Sequence, residues 1–220
     1  MGSARIVSVN TGGEKQAAWA GMLGRTAIDK RPVAASVLVG ALGLAGDEQC
    51  DQLNHGGPEQ AVYAYAREDL DWWVARLGRE LRDGMFGENI TTAGLDVTGA
   101  VIGETWRFGG VVVQVTAPRI PCVVFRNWLD RKGWIKAFRE GGRPGAYLRV
   151  VQPGRLRVGD PVEVLSRPDG SVTVAEVMEA FYVRDVDVVH RMTGVPGHSS
   201  RWDGMADGWL AEQRAHAAVS

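Results

Sequence analysis

The sequence predicts a mainly β protein, in which a barrel-like domain of short strands with interposed helices precedes a small helical extension. About eight or nine short runs rich in β-branched and aromatic residues alternate with turns, and this spacing favours a closed or partly closed barrel. The 29 glycines among 220 residues indicate many turns and close backbone approaches. Helical periodicity replaces the strand pattern after residue 168. The expected division is therefore 1–168 for the β domain and 169–220 for the extension.

The strands of the β domain are predicted where β-branched residues lie between turn residues. They cover 5–9, 28–33, 37–44, 61–65, the end of 86–92, 101–108, 111–115, 147–151 and 161–165. Gly109 and Gly110 form a two-residue turn signal, so the strands on either side of them should pair as a hairpin. The loop at 46–58 is long and polar, and long loops often carry function.

Helices are predicted at two places in the β domain and in the extension. Apolar residues at helical spacing predict a helix over 70–77 that stops at Gly78, and two further helices are expected at 123–130 and 134–140. In the extension, Thr173 and Glu176 form a capping box ahead of a helical stripe. A second short helix is expected near 186–190, and Ser200 is expected to cap a third helix.

Composition narrows the class of protein. The net charge of −1 gives no reason to expect a nucleic acid or an anionic membrane as a partner. The two cysteines, Cys50 and Cys122, form no Cys-x-x-Cys pair, so a reducing cytoplasm is expected. No apolar run approaches 18 residues and the N-terminus lacks the apolar region of a signal peptide, so no membrane span or leader is expected.

The segment Pro118-Arg119-Ile120-Pro121-Cys122 places a thiol between a predicted strand and a predicted helix. The prolines stiffen this approach. A helix N-terminus and the nearby cation of Arg119 both favour the thiolate, which is a nucleophile or a soft metal ligand. A buried cysteine that acts as a small hydrophobe explains the same pattern equally well.

Other polar motifs have a functional and a structural interpretation. His55-Gly56-Gly57 could bring amides to an anion or form a tight turn. Asn89 and Thr91 could hydrogen-bond a heteroaromatic ring, or Asn89 could only close a turn. The Arg143-Pro144-Gly145 stretch could form an anion nest or a solvated loop.

Two classes of site receive little support. A zinc site of Cys50, His55 and Cys122 lacks the second close pair of ligands, so none is expected. A glycine-rich dinucleotide loop is absent, so no nicotinamide site is expected. A thiol hydrolase or transferase that pairs Cys122 with His55 and Asp47 is permitted but not singled out.

The order of these motifs resembles the MOSC domain, the family named after the C-terminal part of molybdenum cofactor sulfurase, and its bacterial YiiM-like branch in particular. The motifs are Ile28 to Val33, Gly46-Asp47 with Asp51, His55 to Pro58 and Ala61 to Tyr65, Phe86 to Thr91, Pro118 to Cys122, and Gly145 to Val150 with Gly159-Asp160. The resemblance covers nearly the whole chain. Cys50 departs from it, since a small residue such as alanine is expected there.

The resemblance implies a β-barrel-like MOSC domain with a three-helix C-terminal region and a bound molybdenum cofactor, independent of pyridoxal phosphate. Cys122 matches the family cysteine, which ligates molybdenum in reductase members and is proposed to carry sulfur in others. The remaining residues expected to bind the cofactor are Lys30, His55, Gly56, Gly57, Phe86, Gly87, Glu88, Asn89, Thr91, Arg119, Pro121 and Arg143.

The resemblance also implies three possible functions. The first is reduction of N-hydroxylated compounds, such as N-hydroxylated base analogues, with electrons from an external reductase or a thiol donor. The second is sulfur transfer through a Cys122 persulfide. The third is storage or delivery of the cofactor without turnover. All three use Cys122 and none requires a nucleic acid or a membrane.

Overall fold

The computed structural model describes residues 3–52 and 55–217. Leu53 and Asn54 of the predicted polar loop lie outside the described residues, as do residues 1–2 and 218–220 at the ends of the two predicted parts. The prediction made for the N-terminus therefore also concerns residues that lie partly outside the described ranges.

Thirteen strands are present in the described residues, in one large and two small sheets. The strands are β1 (Arg5–Thr11), β2 (Lys15–Gln16), β3 (Arg25–Thr26), β4 (Arg31–Pro32), β5 (Val37–Gly40), β6 (Gly43–Leu44), β7 (Val62–Ala66), β8 (Ile90–Ala93), β9 (Thr105–Phe108), β10 (Val111–Pro118), β11 (Ala146–Gln152), β12 (Gly154–Leu156) and β13 (Val162–Ser166). The sequence missed β2, β3 and β12, because two or three residues between turns carry no periodicity.

The large sheet has eight strands in the order β13-β9-β10-β11-β7-β8-β1-β4. Its neighbours pair antiparallel except β7 and β8, which are parallel. The predicted hairpin is confirmed as β9 and β10, with Val111 opposite Phe108. The small sheets are β12-β5-β6 and β2-β3.

The sheet is barrel-like but does not close into a continuous ladder, so of the expected closed or partly closed barrel the partly closed form is present. Its edge strands in the described residues are β13 and β4. The chain just before β13 nevertheless reaches the start of β1, where Ile6 N donates to Asp160 O and Val162 N donates to Ala4 O, both at 2.9 Å. The two sides of the sheet are thus joined by a short contact rather than by paired strands.

Six α-helices lie in the described residues: α1 (Arg67–Leu77), α2 (Val123–Trp128), α3 (Trp134–Gly141), α4 (Val174–Val183), α5 (Val186–Thr193) and α6 (Met205–Ala217). Helix α1 ends as predicted at Gly78, which adopts a φ of 64° that favours glycine. The capping box at Thr173 and Glu176 is confirmed. The predicted start of the third extension helix is wrong: Ser200 lies in a 3₁₀ turn, and extended Asp203 with Gly204 at φ 70° separates it from α6.

Sheet and extension share one hydrophobic core. The residues buried in the cluster include Val177 and Met178 of α4 together with the inner residues of the sheet. Trp73, Trp134 and Phe138 pack with centroid separations between 4.8 and 6.0 Å, and Phe86 and Phe125 join them. Aromatic pairs of this kind add to the stabilisation from burial. This aromatic cluster fixes α2 and the loop that carries Phe86 against α1 and α3.

The capping box gives a test of the fold. Replacement Thr173→Ala removes the hydroxyl that accepts from Glu176 N at 3.1 Å and should lower the free energy of unfolding by about 1 kcal/mol. Thr173→Ser keeps the hydroxyl and should retain most of the stability. Urea unfolding of both variants measures the difference, and equal losses would show that the cap contributes nothing.

Candidate functional site

A cavity of about 110 Å³ lies beside the start of α2. Its walls come from the segments 23–30, 47–51, 87–89 and 119–124 and from β7 and β11. The polar and reactive side chains in its lining include Lys30, Asp47, Cys50, Asp51, His55, Asn89, Arg119, Cys122 and Tyr147. Six of the predicted site positions therefore meet around one cavity: Lys30, His55, Gly87, Asn89, Arg119 and Cys122.

Cys122 is the N-cap residue of α2, with extended backbone at φ −117° and ψ 174°. Burial opposes ionisation of its thiol, but the hydrogen bond with His55 and the positive charges of His55 and Arg119 outweigh burial and lower the Cys122 pKa from 9.0 to about 6. From the sequence, the helix start and Arg119 were expected to stabilise the thiolate. The structure adds His55 to the groups that favour the thiolate, which is consistent with the interpretation of Cys122 as a reactive thiol.

His55 is held between two functional groups. Its Nδ1 lies 3.3 Å from the hydroxyl of Tyr147, and its ring also hydrogen-bonds Cys122. Burial raises the pKa of Tyr147, so its hydroxyl stays protonated at neutral pH. The predicted alternative in which Asp47 orients His55 is not what the contacts show, because Tyr147 takes this place and Asp47 binds elsewhere.

Arg119 is a buried cation at the cavity wall, only 5% exposed. Its Nη1 donates to Phe86 O at 2.7 Å, and its guanidinium lies 5.1 Å from the ring of Tyr63 and 4.3 Å from that of Phe125. Its Nε has no hydrogen-bond partner among the described residues. No Asp or Glu oxygen in the described part of the chain lies within ion-pair distance of it. An unpaired buried charge is costly, so this arrangement favours an anion in the cavity.

Lys30, Asp47 and Asn89 form a fixed polar wall. The ammonium of Lys30 pairs with Asp47 Oδ1, while Asn89 Nδ2 donates to Asp47 Oδ2 at 2.8 Å and Gly12 N donates to Oδ1 at 2.9 Å. Burial lowers the pKa of Lys30, and the pairing with Asp47 opposes this effect. Asn89 Oδ1 in turn accepts from Tyr63 N at 3.1 Å. The charge of Lys30 is thus compensated by the protein, unlike that of Arg119.

Glu88 and its neighbours hold the wall rather than face the cavity. The Glu88 carboxylate accepts from Gly84 N at 2.5 Å, Phe86 N at 2.9 Å and Thr91 Oγ1 at 3.1 Å. Burial raises the Glu88 pKa to about 7, against the lowering effect of these bonds. Gly87, at φ 77°, packs a Cβ-free face against Ile28 and the Arg119 guanidinium. Phe86, Glu88 and Thr91 therefore shape the loop, and direct contact of these three with a cofactor stays a prediction.

The remaining predicted residues lie beside or away from the cavity. Arg143 pairs with Asp69 of α1 and stacks on Trp72 at 4.7 Å, so the glycine-proline loop around it does not deliver its charge to the cavity. Gly57 N donates to Gln49 Oε1 at 2.8 Å, and Gly56 and Gly57 support the chain next to His55. Pro121 is buried immediately before Cys122. Cofactor contacts from these residues stay predictions.

Sequence reasoning missed the contribution of Tyr147. In the sheet Tyr147 lies directly opposite Tyr63, which puts both rings on the cavity side with centroids 5.0 Å apart. An aromatic residue in each of two predicted strands was visible, but the pairing register was not.

Potential metal ligands are sparse. Within the described ranges, no group of three or more His, Cys, Asp or Glu side chains could hold a metal ion. A metal ion bound at Cys122 would therefore take its other ligands from a cofactor or solvent. No described helix is long and apolar enough to cross a membrane.

Comparison with known proteins identifies a family and several relatives. The sequence profile of the MOSC domain matches residues 51–163. The uncharacterized protein YflK of Bacillus subtilis is 33% identical over 199 residues, covering 90% of each chain, and protein YiiM of Escherichia coli is 31% identical over 181 residues, covering 80% of this chain and 81% of YiiM. A Gibberella moniliformis protein named "Reductase" is 30% identical over 187 residues, 83% of this chain but 33% of that protein.

Solved structures show the same relationship. The crystal structure of YiiM from Geobacillus stearothermophilus superposes with a TM-score of 0.77 at 30% identity, covering 93% of this chain and 98% of that one. YiiM from Escherichia coli gives 0.75 at 26% identity, covering 96% and 94%. The chain belongs to the MOSC domain family. Within that family it falls in the YiiM-like branch, and MOSC domains are associated with molybdenum cofactor binding.

The two cysteines give a test of the site, because burial and Glu14 raise the pKa of Cys50 while His55 lowers that of Cys122. Iodoacetamide alkylation, resolved by peptide mass, should show Cys122 reactivity rising through about pH 6 and falling off below it as the thiolate protonates. Cys50 should react only at much higher pH.

His55→Ala should move the Cys122 inflection upward and leave Cys50 unchanged. A wild-type Cys122 inflection near 9, the ordinary value, would show that the His55 contact does not stabilise the thiolate.

Proposed function

We propose that this protein binds molybdenum cofactor through Cys122 and reduces N-hydroxylated compounds, such as hydroxylamines, amidoximes or N-hydroxylated base analogues. The observation that carries the proposal is a low-pKa thiol beside a buried, unpaired guanidinium at one cavity. Family membership adds weight, and the relative named "Reductase" is consistent with redox chemistry, although the chain spans about a third of that protein.

The side chains present fit the cofactor. Molybdenum requires a soft ligand, which the Cys122 thiolate supplies, and the scarcity of other protein ligands matches a metal whose remaining donors come from a pterin dithiolene. The cofactor is anionic, and Arg119 carries a cation whose Nε has no partner. Asn89 and the backbone around Gly87 offer hydrogen-bonding groups at the wall. When bound, the cofactor would supply the two-electron redox centre for reduction of the N–OH group.

The protein side chains would handle binding and protons. Cys122 would anchor the cofactor as a thiolate. Arg119, in a wall of low polarity, would balance the negative charge of the cofactor. Conversion of an N–OH group to N–H with loss of water consumes two protons and two electrons. His55 can deliver a proton from a ring nitrogen, and the Tyr147 hydroxyl, 3.3 Å from Nδ1, can hold the ring in position. The electrons come from an external reductase or a thiol donor.

The first test is the molybdenum and pterin content of protein purified from a host that makes the cofactor. Wild type and Cys50→Ala should contain near-stoichiometric cofactor, and Cys122→Ser should lose it with little change in stability. Arg119→Gln should retain the thiolate anchor but bind several-fold less, because the buried cation is removed.

Activity is then measured with the loaded protein, a chemical reductant and hydroxylamine, amidoxime and N-hydroxy purine substrates. Cofactor-loaded wild type that reduces none of them would contradict the reductase function. Wild type without molybdenum or pterin, beside a loaded control enzyme, would contradict cofactor binding.

A sulfur carrier is the second candidate, because His55 and Arg119 lower the pKa of Cys122 to about 6 and no group of three or more His, Cys, Asp or Glu side chains in the described residues could hold a metal ion. Persulfide on Cys122 by mass spectrometry, in protein that holds no metal, would favour this function. A cofactor that is bound and passed to an acceptor enzyme without turnover would indicate a carrier.

A further inference from the structure

The C-terminal extension reaches the loop that carries His55. The Arg201 guanidinium donates through Nη2 to Gln52 O at 2.6 Å and to Gly56 O at 3.0 Å. Through Nη1 it donates to the side chain of Gln60 at 3.1 Å, and Gln60 lines the cavity. Two of these three acceptors are backbone carbonyls on either side of His55.

The segment that holds Arg201 is itself anchored on the 3₁₀ turn at Pro58–Gln60. Glu59 Oε2 accepts from Ser199 Oγ at 3.0 Å, Ser200 N at 2.8 Å and Ser200 Oγ at 3.0 Å. Ser199 is fully buried, and its N–H donates to Thr116 O at 3.0 Å. The position of Arg201 is thus fixed by contacts that do not involve its own side chain.

The choice of arginine fits a geometric function. A rigid, planar fork can donate in several fixed directions at once, which a flexible ammonium cannot do equally well. The three partners of Arg201 are neutral oxygens, and no ion pair of Arg201 occurs among the described residues. The loop it holds contains Gly56 and Gly57, the latter at φ 80°, so the backbone next to His55 has little steric restraint of its own.

We propose that Arg201 is a positioning residue of the candidate site: the extension uses its guanidinium to fix the backbone on both sides of His55 and thereby holds the imidazole against Cys122 and Tyr147. The MOSC profile ends at residue 163, so this function belongs to the part of the chain outside the profile match. The site is therefore completed by the helical extension.

The test is the alkylation rate of Cys122 by iodoacetamide at pH 6, measured on the metal-free full chain and resolved from Cys50 by peptide mass. Arg201→Ala should lower the alkylation rate of Cys122 by at least about threefold, and His55→Ala should lower it by about tenfold. A thiol without its stabilising partner is mostly protonated at this pH, and the greater nucleophilicity of the remaining thiolate offsets this loss only in part. The double variant should match His55→Ala, because Arg201 acts through His55.

Arg184→Ala is the matched control, since it removes another arginine contact of the extension, the exposed ion pair with Glu212. It should leave the alkylation rates of Cys122 and Cys50 unchanged. Thermal unfolding establishes that each variant is folded, and Arg201→Gln replaces Arg201→Ala if the latter does not fold. A purely structural contact predicts the opposite result: a loosened loop exposes its thiols, so both Cys50 and Cys122 would react faster.

Unchanged or faster Cys122 alkylation in the Arg201 variant would overturn the proposal, as would a double variant that is slower than His55→Ala. Because no cofactor takes part in the measurement, these outcomes are independent of whether the protein is a molybdenum-dependent reductase.

Discussion

The site depends on a cation buried in the wall of the cavity. Arg119 lies between the rings of Tyr63 and Phe125, and its hydrogen bond to Phe86 O ties the strand end at Pro118 to the loop after α1. Burial of a guanidinium without a carboxylate is unfavourable, and the aromatic faces offset this cost only in part. The Cys122 thiolate can compensate this charge, and each group favours the ionised form of the other.

Local signals in the sequence predicted the elements whose structure is decided locally. The glycine pair between β9 and β10, the αL stop at Gly78 and the capping box at Thr173 all depend on residues a few positions apart. The strand order could not be predicted in the same way, since β7 pairs with β11 from far along the chain and runs parallel to β8. The predicted start of the third extension helix was wrong for a local reason: Gly204 at φ 70° breaks the helix, and periodicity does not show this break.

The residues of the candidate site also fall into those that local sequence predicts and those that depend on tertiary contacts. Cys122 at a helix start could be predicted because a strand, a proline-rich turn and a helix follow one another directly. Tyr147 could not, because its place on the cavity depends on pairing opposite Tyr63, and the pairing of Arg143 with Asp69 of α1 could not be predicted from its loop either. Composition of a loop indicates which groups it can offer, but tertiary pairing decides which of them remain free for a ligand.

Tertiary contacts also explain why the site depends on Arg201, which lies outside the segment that matches the MOSC profile. His55 must stay beside Cys122 with its Nδ1 near the Tyr147 hydroxyl, although the chain after it is Gly56-Gly57. Holding such a backbone costs conformational entropy that the loop itself cannot offset. Hydrogen bonds from Arg201 to Gln52 O and Gly56 O supply the restraint, and Glu59 anchors the donor segment. A variant that weakens this anchor should therefore alter the chemistry of Cys122 before it alters the fold.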